Sequence, residues 1–158
     1  MDDAFRHLHM PANLACEFLA VFSRMEYALK ASGYATGPNK VEAWWDKFAN
    51  DIETDFKAVK DKSFVDAVNY ILTAPPRKQV LNGNVLAFAD QTIDPNQGTA
   101  QQVLLMIRTI RNNLFHGGKF LPHGEKEAGR NERLVVSSLI VLRQCVSLNG
   151  GVYQSYDH

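Results

Sequence analysis

Residues 99–120 read TAQQVLLMIRTIRNNLFHGGKF, and their periodicity decides the fold. Val103, Met106, Ile107, Ile110 and Leu114 recur at the spacing of one helical face. Thr99 is placed to cap this helix, with Gln102 at the reciprocal position of a capping box. Gly117 and Gly118 follow His116 and predict the end of the helix there. Arg108, Asn112 and His116 stand four apart and form a second, polar line on the same rod. Arg111 adds a cation next to Asn112. A guanidinium, an amide and an imidazole therefore gather over the last two turns.

Their chemistry suits phosphodiesters. Imidazole moves protons near neutral pH. Guanidinium holds two phosphate oxygens in a planar fork. Asn112 can orient either group. Spacing alone also fits a polar helix face that ends in a histidine cap, where the helix dipole favours a cation. The string Arg111-Asn112-Asn113-Leu114-Phe115-His116 resembles the Arg-x4-6-His motif of the HEPN superfamily. The longer RNNLFHGGK string resembles prokaryotic HEPN proteins of the Apea-like and abortive-infection kind, and FSRMEYALK resembles their first helix. The resemblance implies an all-α bundle, a homodimer whose motif helices meet, and RNA cleavage without a metal. It implies catalytic roles for Arg111, Asn112 and His116. Arg108 on the polar line and Lys119 just past the motif are placed by sequence to contact a neighbouring phosphate. The resemblance also implies a toxin or antiviral defence role, with an antitoxin or regulatory protein as partner. The alternative is a non-catalytic HEPN-type module that binds a nucleotide or a protein and dimerises.

Composition sets bounds on that reading. The 158 residues suit one domain, residues 1–158, and 46% hydrophobic content is enough to build a core. Lys plus Arg and Asp plus Glu both number 17, so a general nucleic-acid coat, normally basic, is not expected. Contact with RNA then depends on a local cationic patch. Cys16 and Cys145 sit in apolar helical patterns and read as core thiols. No apolar run approaches the ~20 residues of a membrane span, and MDDAFRHLHM lacks a signal-peptide pattern. A cytoplasmic location is the default. His7, His9 and Cys16 lack the number and spacing of a zinc set, so no metal or other cofactor is expected. No phosphate-binding glycine loop of the ATPase or dinucleotide type occurs.

Outward from the central stretch, four main helices and a shorter one predict an antiparallel helical bundle. The first runs from Ala12 to Ala31, after Pro11 and before Ser32-Gly33, with Phe18, Phe22, Met25 and Leu29 inward. Glu26 borders that face. It either pairs with Lys30 at the rim or reaches across to orient Arg108 and Arg111. Asn39 and Glu42 predict the start of a second helix carrying Trp44, Phe48, Ile52 and Phe56, with Trp45 off the main line. Ser63 and Asp66 predict a short third helix that Pro75-Pro76 stops. Residues 75–98 show no clear period; there Arg77 and Lys78 either extend a phosphate surface or form a solvated pair. His123 reads as a loop residue. Asn131 is expected to cap the last long helix, which Asn149-Gly150-Gly151 closes, leaving residues 152–158 as a tail.

Overall fold

The computed structural model describes residues 8–116 and 129–158. Lys119, His123, His7 and the Gly117-Gly118 stop lie outside the described residues. The described chain is a mostly helical bundle with two small antiparallel hairpins, so the expectation of a purely α fold is corrected.

Helix α1, Ala12–Ala31, has the bounds its flanking residues predict. Ser32 caps its end through bonds to the Ala28 and Leu29 carbonyls. Phe18, Met25 and Leu29 are fully buried, as the helical stripe requires. Strands β1, Ala35–Thr36, and β2, Glu42–Ala43, then form the first hairpin. This displaces the expected capping box at Asn39 and Glu42: α2 begins only at Trp45 and runs to Ala58. The later start reverses the roles of the two tryptophans. Trp45 is buried against Phe22, with ring centroids 5.3 Å apart, and Trp44 is exposed.

Helix α3, Lys62–Thr73, is capped by Asp61 rather than Ser63, because the Asp61 carboxylate accepts the Phe64 N–H at 3.0 Å. Asp66 instead pairs with Lys62 one turn away. Residues 75–98 contain strands β3, Lys78–Asn82, and β4, Val85–Ala89, in a second hairpin. Gly83 takes φ 63° at the first turn position, the conformation that a two-residue loop of this kind demands and glycine supplies.

Helix α4, Thr99–Phe115, carries the polar line. All five predicted apolar positions, Val103 to Leu114, are buried. Its cap is not Thr99. The Glu53 carboxylate of α2 accepts the Thr99 and Ala100 N–H groups, each at 2.8 Å. Gln102 turns back to donate to the Asp94 and Gln97 carbonyls, tying down the preceding turn. An added Cβ at residue 98 would stand 2.9 Å from the Glu53 carboxylate, so glycine there leaves room for its approach. Glu53→Ala should therefore leave two backbone donors without their charged acceptor and lower unfolding free energy by about 1–3 kcal/mol. Urea denaturation would read this as a lower midpoint at unchanged slope.

Helix α5, Arg130–Ser147, buries Leu134, Val135, Leu139 and Leu142. Asn131 lies inside it and is buried, so it is not the expected cap; Gly129 holds that position. The last residues are not a loose tail. They form α6, Gly150–Asp157, whose cap is Asn149: its side chain accepts the Val152 N–H at 3.0 Å. Arg24 of α1 donates to the Tyr156 carbonyl at 2.8 Å, where the helix dipole favours a cation. α1 packs against α5 and α6, α2 against α4, and α3 against α5 and α4. Cys145 is buried, and burial pushes its thiol up; Cys16 is exposed on α1, which corrects the expectation of two core thiols.

A polar network joins the residue before β1 to α2 and to the cap of α6. Tyr34 donates to Asp51 at 2.8 Å and accepts from Asn149 at 3.2 Å. The Tyr34 hydroxyl beside Asp51 holds that carboxyl below the usual carboxylate range. A carboxyl lowered on folding contributes stability above its unfolded pKa and loses that contribution as pH falls through the folded value. Asp51→Asn should flatten the acid limb of stability against pH, read as the urea midpoint across an acidic series.

Candidate functional site

The polar line reaches the surface at the C-terminal end of α4. Arg108 and Arg111 are half-buried, while Asn112 and His116 are exposed. These four residues lead away from the core, and two clefts meet along them.

The larger cleft, about 400 Å³, lies between α1, α4 and the first hairpin. Phe22 and Trp45 contribute rings to it, Arg108, Arg111, Lys30 and Lys40 contribute cations, and Glu26 and Glu42 contribute carboxylates. The Arg111 guanidinium is held from three sides. It donates to Asn112 Oδ1 at 2.9 Å and stands over the Phe22 and Phe115 rings at 5.4 and 5.1 Å from their centroids. Such restraint lowers the ordering cost of gripping an oxyanion. Arg108 is 3.8 Å from Asp46 of α2, so part of its charge is already answered.

A smaller cleft, about 260 Å³, lies on the other side of Asn112. Lys78, Gln79, Thr109, Asn112, Asn113 and His116 line it. His116 stands at the cap of α4, its N–H bonded to the Asn112 carbonyl, and its ring meets Phe115 edge-on. The wall of this cleft comes from the foot of the second hairpin, which Asn113 secures by donating to the Arg77 carbonyl at 2.6 Å. Arg77 lies over the Phe88 ring at 5.3 Å, and Lys78 faces the His116 cleft. Asn113 is therefore a support for the site, which its place on the buried side of the helix conceals in the sequence.

Glu26 lines the same cleft as Arg108 and Arg111, and its partner is neither. It accepts the Trp45 indole N–H at 3.3 Å. Among the described residues no cation lies within ion-pair distance of it, Lys30 included. The orienting role expected for Glu26 toward the arginines is thus not made by direct contact. Lys30, Lys40 and Trp45 join the site through tertiary packing that sequence spacing does not reveal.

Within a single chain, Arg111 opens to one cleft and His116 to the other, and Asn112 lines both. Among the described residues no three His, Cys, Asp or Glu side chains converge as a metal set would. Nor is any single described helix long and apolar enough to cross a membrane. No family model, curated protein or solved structure matches the chain.

Proposed function

We propose that the chain is a metal-independent endoribonuclease acting on single-stranded RNA. The observation that carries this reading is the convergence of Arg111, Asn112 and His116 on one exposed helix end with a cleft on either side. A guanidinium directed by an amide and two rings at the mouth of a cation-lined cleft supports the same reading. The resemblance of RNNLFHGGK to HEPN ribonucleases supports the same assignment.

The reaction is transesterification. The RNA 2′-hydroxyl attacks the adjacent phosphorus, its proton passes to a base, and the 5′-oxygen of the next nucleotide leaves with a proton from an acid. His116 serves in proton transfer. Arg111 binds the phosphoryl oxygens on which charge grows as phosphorus becomes pentacoordinate. Asn112 keeps Arg111 in place, and Arg108 and Lys119 hold the flanking strand. The products are a 2′,3′-cyclic phosphate and a 5′-hydroxyl.

In this reading two chains form a homodimer that sets the α4 ends face to face, so that one protomer's Arg111 cleft adjoins its partner's His116. A cytoplasmic toxin or antiviral defence role, restrained by an antitoxin or regulatory protein, fits such an activity. A second reading has its own observation. Phe115 is 62% exposed, and Leu81 and Val85 of the second hairpin are about as open, at 71% and 69%. A non-catalytic nucleotide- or protein-binding dimerisation module would use such a surface without any chemistry. Incubating the pure protein with single-stranded RNA in EDTA separates the two: cleavage supports the nuclease, and intact RNA leaves the binding module.

A further inference from the structure

We propose that the cleft beside Arg111 is a guanine subsite and that Glu26 reads the base. The proposal rests on the ribonuclease reading for the strand that delivers the base, but its chemistry comes from the cleft itself. The cleft has about 400 Å³ of space, within the range of small-molecule sites. Arg111 and Lys30 make part of it attractive to phosphate, while Arg108 is partly answered by Asp46 and Lys40 by Glu42.

Glu26 contradicts that pattern. A carboxylate repels phosphate, and this one takes one hydrogen bond from Trp45 while, among the described residues, no ion pair reaches it. It is half-buried, and the indole fixes its direction. Its two oxygens offer about four acceptor positions, of which the indole uses one. A carboxylate with open acceptor positions beside cations suits a ligand that brings hydrogen-bond donors and a phosphate together. A nucleotide does so.

Among the four RNA bases, guanine presents two adjacent donors, N1–H and the 2-amino group, on its Watson–Crick edge. They match the two oxygens of one carboxylate. Adenine and cytosine each offer one amino group beside an acceptor, which faces the carboxylate with repulsion. Uracil offers one N–H between two carbonyls. A bidentate carboxylate therefore favours guanine over the others. Lys30, one turn beyond Glu26 on α1, stands where it can meet the phosphate of the same nucleotide.

Calorimetric titration of the full chain with guanosine, adenosine, cytidine and uridine 5′-monophosphates tests this directly. Guanosine monophosphate should bind about tenfold or more tighter than the other three. Inosine monophosphate, which keeps N1–H and lacks the 2-amino group, should lose much of that advantage, and this arm needs no variant to fold. Glu26→Gln should abolish the preference, since its amide nitrogen meets a guanine donor. Lys30→Ala should weaken all four nucleotides alike. Equal binding of the four, full retention by inosine monophosphate, or a preference that survives Glu26→Gln overturns the proposal. Guanine-selective binding by a chain that leaves RNA intact upholds the subsite while the nuclease reading fails. RNA cleavage without guanine-selective binding overturns the subsite and leaves the nuclease standing.

Discussion

His116→Ala should lower the rate of RNA cleavage by about 10²–10⁴-fold, the range associated with losing a group that carries a proton in the transition state. The fold should survive the change. His116 is exposed at the cap of α4, so its removal opens no core cavity, and the buried face from Val103 to Leu114 is untouched. Matching circular dichroism and urea midpoints for variant and wild type would assign the loss to chemistry. A rate within a fewfold of wild type would move the active group elsewhere.

The second large effect belongs to Arg111. Arg111→Ala should cost about 10²–10³-fold, the loss typical of one fixed oxyanion donor. The side chain does more than carry charge. Its guanidinium lies over two aromatic rings and is bonded to Asn112, so its direction is set before substrate arrives. Arg111→Lys should recover only part of the activity, because an ammonium cannot hold two oxygens in one plane or reproduce the ring contacts. Asn112→Ala should cost less than either, since it loosens Arg111 without removing the charge. A single-turnover assay at saturating protein reads these differences on the chemical step. Equal activity for Arg111→Lys and wild type would reduce the role of Arg111 to its charge alone.

The parts legible from sequence are those governed by local physics. The bounds of α1 follow from Pro11 and from Ser32-Gly33, and its inward face follows from helical spacing. The polar line on α4 is read the same way, because residues four apart share a face whatever surrounds them. The misread features depend on distant partners. Glu53 reaches α4 from 46 residues earlier in the chain, so a local capping rule selected Thr99 instead. The first hairpin delays α2 to Trp45, and that shift turned Trp45 inward and Trp44 outward. The second hairpin carries apolar residues on both faces. Val80 and Val85 share one, Leu81 and Leu86 the other, so the alternation that marks a half-buried strand is missing. The Asn82-Gly83-Asn84 turn was the available signal. The two-cleft arrangement around Asn112 was invisible because its walls come from α1 and from both hairpins.

The proposed chemistry is RNA cleavage by 2′-hydroxyl attack, carried by Arg111, Asn112 and His116 without a metal. Its most direct test is end-group analysis of labelled single-stranded RNA incubated in EDTA with wild-type protein and with His116→Ala, beside DNA of the same sequence. Wild type should leave 2′,3′-cyclic phosphate and 5′-hydroxyl ends, the variant should leave RNA intact, and DNA should stay intact. RNA left whole by wild type, cut equally by His116→Ala, or carrying 5′-phosphate ends would contradict it.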